Sequence, residues 1–376
     1  MSPLEVMLNA LYLAPGVSGG PETYLRGLAP ALATEYPELR LSVATTRSGA
    51  AALAADGWRD FARLLPLPCE DGQRLRRQLA EQLLLPRAAR RERVDLVHSL
   101  ASIAPLVVGT RSVVTLHDVT FLTERTFGTV TNWGMSLLVK AAARNADALI
   151  AVTAAARDEI CETLGVAPER FTVIHHGHSP ARPVDPEAVS ELRDRYELAG
   201  ARVALCVAAK RPHKNQALLI RALELFDPDV VVVLAGHAEP YERELRSLAA
   251  ELGVEERVRF VGYLPADELD AMWSLASCAT FPTLAEGFGI PVLEALARGV
   301  PVAASDLPVL REVGGRLVHY FDPRDPGSCA RAVHDALTDT QTARLGPQHA
   351  AGFSWRAAAR ATYGTYERAL AAGHAR

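Results

Sequence analysis

The stretch AEGFGIPVLEALARGVP, residues 285–301, sets two glutamates, Glu286 and Glu294, around a turn built on Gly287, Phe288 and Gly289. Pro291 suits a first helical position, where its missing N–H is no loss and its φ is already helical. Gly299 and Pro301 read as a helix stop. The spacing therefore predicts a helix from Pro291 to Arg298. Just upstream, CATFP (278–282) reads as a short buried strand. Strand, glycine turn and helix together make the repeating unit of a parallel α/β sheet. The free N–H groups and positive dipole end of such a helix face whatever lies above the turn, and an anion such as a phosphate fits there. Glu294, placed in the first helical turn, can accept two hydrogen bonds from a diol such as a ribose. Glu286, in the loop, reaches another part of the same ligand. An ordinary α/β crossover with Glu294 as a dipole-friendly surface residue is an equal reading of these residues alone.

The same alternation extends in both directions. LEVMLNALYLA (4–14) reads as a buried strand, GVSGGPE (16–22) as a glycine-rich turn and TYLRGLAPALATEY (23–36) as a helix. Short strands follow at 39–46, 94–100, 112–118, 148–153 and 171–177, mostly with helical stretches between them. The proline-rich SPARPVDPE (179–187) reads as a linker, after which strands recur at 202–209, 229–236, 257–263, 278–282 and 300–305. The pattern predicts two similar halves, each a parallel sheet with helices on both faces. A long helix, 354–373, closes the chain with no strand after it.

Bulk composition narrows the function. A chain of 376 residues suits two or three domains. A net charge of −4 supplies no general pull towards nucleic acid. Five scattered cysteines (69, 161, 206, 278, 329) make neither a disulfide framework nor a zinc cluster, and suit a reducing cytoplasm. The N-terminus does not read as a signal peptide, and no apolar run is long enough to span a bilayer.

Other motifs divide between chemistry and punctuation. GVSGGPE is not a dinucleotide fingerprint, because Gly16, Gly19 and Gly20 do not fit G-x-G-x-x-G. NAD is thereby disfavoured. Gly19 and Gly20 still allow close backbone approach to a phosphate or sugar, and a plain tight turn is an equal reading. KRPHKNQ (210–216) puts Lys210, Arg211 and Lys214 after the first strand of the second half, where cations suit a leaving diphosphate or form a solvated loop. TLHDV (115–119) puts His117 at a strand end, as a cleft donor or a structural histidine; His175 and His176 have a weaker claim. DPD (227–229) matches a metal-binding pattern of some sugar transferases but sits where Asp and Pro are normal turn residues. The segment 74–93 holds seven arginines against two glutamates. It reads as a solvated helical face, or as a basic helix meeting an anionic membrane.

Taken together, FPTLAEGFGIPVLEALARGVPVAASDLPVLREVGG (281–315) resembles the signature of retaining GT-B glycosyltransferases of the group 1, family 4-like kind, in which two glutamates flank a Gly-Phe-Gly turn with seven residues between them. GVSGGPETYLRGLAPAL, DALIAVTAAARDEICETLGVAPERFTVIHHG, RPHKN and VRFVGYLPADELDAMWSLA are similar to further segments of that family. The resemblance covers nearly the whole chain, least clearly over 48–93.

The resemblance implies an α/β GT-B fold, two Rossmann-like domains with parallel sheets facing across a cleft. It implies an acceptor-side domain of residues 1–178, with the helix 356–376 returning to it, and a donor-binding domain of 179–355. It implies a hexose transferred from a nucleoside-diphosphate sugar to a hydroxyl acceptor by front-face attack, with retention, without metal or other cofactor. By position, Glu294 binds the ribose, Glu286 the transferred sugar, Lys214 the diphosphate and His117 the region of the reacting carbon. The backbone of Gly287, Phe288, Gly289 and Ile290 approaches sugar and phosphates, and Gly262, Tyr263 and Leu264 meet the base. Gly19 and Gly20 approach the phosphates from the first domain. The family's frequent Gly-Arg before the basic loop is here Ala208–Ala209, so Lys210 or Arg211 is expected to supply the second cation. A cytoplasmic protein is expected, peripheral at the membrane if 74–93 binds it, and TLHD is similar to bacterial polysaccharide mannosyl- and rhamnosyltransferases. A non-catalytic nucleotide-sugar binder on the same fold is the competing expectation.

Overall fold

The computed structural model describes residues 3–70, 74–119 and 129–372. The chain divides into two compact units, one of residues up to Gly177 together with those from Ser354 onward, the other His178–Phe353.

The first unit is built on seven strands: β1 (Glu5–Ala10), β2 (Arg40–Thr45), β3 (Ala62–Pro66), β4 (Leu96–Ser99), β5 (Arg111–Leu116), β6 (Ala148–Ala151) and β7 (Phe171–Val173). They form one sheet in the order β3-β2-β1-β4-β5-β6-β7, every pair parallel. The second unit holds β8 (Arg202–Val207), β9 (Val230–Ala235), β10 (Val258–Val261), β11 (Ala276–Phe281), β12 (Val302–Ser305) and β13 (Val318–Phe321), in the parallel order β10-β9-β8-β11-β12-β13. Strand β9, VVVVLA, is buried at every position, as expected of a strand with both faces covered. Each order reverses direction once, between β1 and β4 and between β8 and β11. At such a reversal the connections leave to opposite faces and open a crevice at the carboxyl ends of the two strands, where α/β sheets take ligands.

Two strands escape sequence reading. β3, ARLLP, is a short edge strand whose arginine and proline blunt the open edge. β13, VHYF, is too short and too polar at its centre to stand out. Strand β1 ends at Ala10, four residues early, because Leu13 N–H turns back to the Ala10 carbonyl at 3.0 Å.

The last helix, Trp355–Ala371, is capped by Ser354 Oγ, which accepts from Ala357 N–H, and packs on helix Gly20–Glu35. Gly27 is the close point: a Cβ there would come within 2.1 Å of the Trp355 ring. Tyr36 and Tyr363 stack at 3.7 Å between ring centres. Beneath the helix, the Tyr366 hydroxyl meets His98 Nδ1 at 2.7 Å, and His98 Nε2 meets Thr115 Oγ1 at 2.8 Å. Burial lowers the His98 pKa to about 3. The imidazole is therefore neutral, a polar tie between the returning helix and the strands β4 and β5.

Candidate active site

The second unit's reversal point gathers the residues around which the sequence reading turned. Strand β8 leads into the turn Pro212–Lys214, and the neighbouring β11 leads into the loop that carries Glu286. Asn215 holds the two together. Its backbone adopts a left-handed φ of +54°, and its Nδ2 donates to the carbonyls of Pro282 and Pro323 at 3.0 and 2.9 Å. Thr283 Oγ1 donates to the His213 carbonyl at 3.1 Å, and Leu284 N–H donates to the same carbonyl at 2.8 Å. The cross-link brings Lys214 Nζ to 2.6 Å from Glu286 Oε2, both side chains about three-quarters buried. Burial and the neighbouring Lys214 charge hold His213 down at about 4, so it adds no positive charge near neutral pH.

The glycine turn enters helix Ile290–Ala297, one residue earlier than the sequence predicts. Gly289 caps it at φ +93°, and a Cβ there would meet Leu310 at 2.6 Å, so both conformation and space demand glycine. Phe288 is 3% exposed and turns inward, edge-on to Phe353 at 6.2 Å. It therefore anchors the turn from below; Gly287 and Gly289 are buried as well, and Ile290 is half-buried. Glu294 lies past the first helical turn, contrary to expectation. It is half-buried, and desolvation raises its pKa to about 7, with Arg298 opposing and Asp270 reinforcing the rise. Arg298 is itself occupied by Asp270, at 2.8 Å from Nε to Oδ1, and by the Glu294 carbonyl.

Lys210 departs furthest from expectation. Its side chain is fully buried. Nζ donates to the carbonyls of Gly236 and Val261 and stands 3.7 Å from Glu242 Oε2. This lysine ties the ends of β9 and β10 together and does not reach out to a phosphate. Arg211 is half-exposed and bonds Glu239 Oε1 through two nitrogens, at 2.7 and 3.1 Å. Of the two candidates for a second cation, Lys210 is thus withdrawn into the sheet edge, and Arg211 lies at the surface, paired with a carboxylate.

Gly262 follows β10, its carbonyl accepting from Gly236 N–H at 3.0 Å, with no atom within 4 Å of where a Cβ would stand. Tyr263 is 59% exposed, and its ring lies on His237 at 4.7 Å, nearly parallel. Leu264 is in the core and offers only backbone. The DPD aspartates, Asp227 and Asp229, both grip Arg202 at the amino end of β8, far along the strand from the glycine turn.

In the first unit, Gly19 caps helix Gly20–Glu35 at φ +61°, and neither Gly19 nor Gly20 has an atom near a would-be Cβ. Gly16 N–H donates to Glu22 Oε2 at 2.9 Å, which shapes the loop. His117 follows β5. Its Nε2 meets the Leu100 carbonyl at 2.7 Å, its ring stacks on His176, and Tyr24 meets it edge-on. Burial lowers its pKa, so it is a neutral imidazole whose Nε2–H is already committed.

The family profile described as "Glycosyl transferases group 1" matches residues 190–348, and that described as "Glycosyltransferase Family 4" matches 18–182. The chain belongs to the group 1, family 4-like glycosyltransferases. Relatives in the family include the serotype-specific mannosyltransferase WbdA of Escherichia coli, 34% identical over 56% of this chain and 27% of that protein. Another is the GDP-mannose-dependent alpha-(1-6)-phosphatidylinositol monomannoside mannosyltransferase of Mycolicibacterium smegmatis, 34% identical over 46% of this chain and 47% of that one. The matched stretch is well under two thirds of either relative. Among solved structures, Anabaena HepE in complex with UDP and glucose superposes with a TM-score of 0.77, at 23% identity over 97% of this chain and 99% of that chain. Sucrose-phosphate synthase from Thermosynechococcus elongatus gives 0.80, at 20% identity over 98% and 100%. These likenesses establish the GT-B fold of this family member.

Sequence reasoning missed Asn215 and Thr283, which set the site without touching its chemistry. An asparagine directly after a basic turn is a left-handed-backbone signal that could have pointed to the first.

Proposed function

We propose that this chain is a retaining glycosyltransferase that moves a hexose from a nucleoside-diphosphate sugar to a hydroxyl acceptor. The observation that carries the reading is the Lys214–Glu286 pair beside the amide-rich turn 287–290, at the reversal point of the second sheet. In the reaction the bond from the anomeric carbon to the phosphate oxygen breaks, and a bond to the acceptor oxygen forms on the same face. Charge grows on the leaving phosphate, where Lys214 and the helix amides stabilise it. The departing oxygen takes the acceptor's proton, and this charge balance needs no divalent metal. A diphosphate competes with Glu286 for Lys214, and its arrival frees the carboxylate for a sugar hydroxyl. His117, neutral and already bonded, positions groups and is not the base.

A GDP- or UDP-hexose is the donor class supported by the GDP-mannose-dependent relative and by the UDP complex of HepE. The test is thermal unfolding against UDP-, GDP- and dTDP-sugars, followed by nucleoside diphosphate release. A donor at 100 times its Kd adds roughly 2.7 kcal/mol of stability. Stabilisation with no release, with or without hydroxyl compounds, would favour the non-catalytic binder. No stabilisation by any donor would remove the proposal.

Glu294 makes donor binding pH-dependent. Ribose hydroxyls donate to the carboxylate, so the ionised form binds. With the free-state pKa near 7, the ionised fraction rises from pH 6 to pH 8. Donor affinity is expected to rise up to roughly tenfold over that interval and then level off, and Glu294→Gln is expected to flatten the profile. Calorimetric titration at pH 6, 7 and 8 checks it, and a profile equally steep in both proteins would assign the titration elsewhere.

The reading includes a peripheral membrane contact through 74–93. Helices Arg74–Leu79 and Leu85–Glu92 are joined by a π-helical turn, Ala80–Leu84. Leu79 and Leu83 are more than half exposed, among the exposed Arg76, Arg87, Arg90 and Arg91; the side chain of Arg74 lies outside the described residues. Apolar side chains ringed by arginines suit an anionic interface. Co-sedimentation with phosphatidylglycerol vesicles is expected to exceed that with phosphatidylcholine, and to fall on Leu79→Asp/Leu83→Asp. Equal binding of both vesicle types would dismiss it. Among the described residues no helix is long and apolar enough to cross a membrane.

A further inference from the structure

Glu81 is a buried carboxyl that the donor chemistry leaves unused. It sits in the π-helical turn Ala80–Leu84 and is 7% exposed. Leu79, just before the turn, and Leu83, within it, are exposed, whereas Glu81 is buried. Its Oε1 accepts from Asn9 Nδ2 at 2.6 Å. Asn9 Nδ2 also donates to Ser99 Oγ at 3.1 Å, and Asn9 Oδ1 accepts from Leu11 N–H. Asn9 and Ser99 are direct partners on the last rung of the β1–β4 pair. Those two strands flank the reversal point of the first sheet. A buried carboxyl, an amide and a hydroxyl thus meet at the crevice where a sheet of this order takes a ligand.

The arrangement is poor as pure structure. Asn9 is the sole hydrogen-bond partner of Glu81 among the described residues, and it uses only one carboxyl oxygen. The turn packs beside an apolar cluster of Met7, Leu11, Ala80 and Leu85. Burying a carboxyl with one neutral partner is unfavourable, and an apolar side chain would serve the packing better. Burial accordingly raises the Glu81 pKa to about 7, with the nearby Arg77 opposing. A π-helical turn is itself an unfavourable insertion that recurs at functional sites.

We infer that Glu81, held at the β1–β4 crevice by Asn9, whose amide is in turn bonded to Ser99, binds a hydroxyl of a polyol acceptor through its second carboxyl oxygen. The inference rests on the glycosyltransferase reading above and adds to it the acceptor's anchor and chemical class. The carboxylate accepts from one hydroxyl, and Arg77, on the same helical segment, supplies a cation beside it. Asn9 and Ser99 act as positioning residues: Asn9 engages one carboxyl oxygen, and Ser99 orients the Asn9 amide that does so.

The test uses the full chain with the donor that stabilises it most, and methyl α-D-mannopyranoside, methyl α-D-glucopyranoside and myo-inositol as acceptor probes. Glu81→Gln keeps the bond from Asn9 and the side-chain volume. It is expected to raise the KM for the best probe at least tenfold, with the donor KM as the internal reference. Should that variant not fold, Ser99→Val, which crowds the same crevice from the strand side, carries the same expectation. An acceptor KM within twofold of the native value, an equal rise in both KM values, or no transfer to any of the three polyols would overturn the inference. A native protein that releases no nucleoside diphosphate from any donor is a different failure, that of the glycosyltransferase reading itself.

Discussion

Lys214→Ala is expected to lower kcat/KM by about 10²–10³-fold, the usual loss when a preorganised group that stabilises developing charge is removed. The lysine stands 2.6 Å from Glu286, and Asn215 and Thr283 hold its turn against the loop after β11. The cross-linked backbone thus fixes the place of the cation, and little reorganisation is needed when charge develops on the leaving phosphate. The loss is expected mainly in kcat, since that charge is largest in the transition state. The pair is about three-quarters buried, so removing the lysine also leaves Glu286 without its partner and is expected to lower stability to some degree. Steady-state kinetics with thermal unfolding as control checks both halves. An unchanged kcat would refute charge stabilisation by Lys214, and a purely KM effect would make it a binding residue only.

Lys210→Met is expected to do the opposite, damaging the fold. Breaking a buried ionic contact by removing one partner typically costs about 3–5 kcal/mol. Here the carbonyls of Gly236 and Val261 and the carboxylate of Glu242 would lose their shared cation. The unfolding midpoint of the second unit should fall by roughly 10 °C. The surviving folded fraction should keep its donor affinity, because Lys210 Nζ points into the sheet edge. A stable variant with weakened donor binding would restore Lys210 as a phosphate ligand and displace Arg211. Burial lowers the Lys210 pKa, and Glu242 opposes that. A lysine with a lowered pKa binds fewer protons folded than unfolded, so its share of stability is smallest at neutral pH and recovers as pH rises towards the ordinary lysine range.

The two predictions differ because two lysines four residues apart are bound for different places. KRPHK is one basic cluster in the sequence. Nothing local distinguishes a lysine that crosses under a neighbouring strand end from one that faces a ligand. The distinction is made by the carbonyls of Gly236 and Val261, 26 and 51 residues further on. Glu294 shows a smaller version of the same effect. A one-residue change in where the helix begins moved it out of the first turn, where the dipole would favour the carboxylate, and burial, reinforced by Asp270, raised its pKa instead.

By itself the sequence determined the alternation of short apolar strands with helices, hence two parallel α/β halves. It also determined the glycine turn whose conformation only Gly289 can adopt, and the pairing of that turn with two glutamates. These are readable because they depend on periods of two and 3.6 residues and on backbone angles, which are properties of neighbours in the chain. Tertiary structure alone decided which strands flank each reversal point. It therefore decided that Lys214 meets Glu286 across 72 residues, and that Asn9, Glu81 and Ser99 meet at the end of β1 and β4. Those contacts follow from strand order, and strand order is settled by the burial of whole helical faces against a shared sheet, a sum over many distant side chains that no local pattern contains.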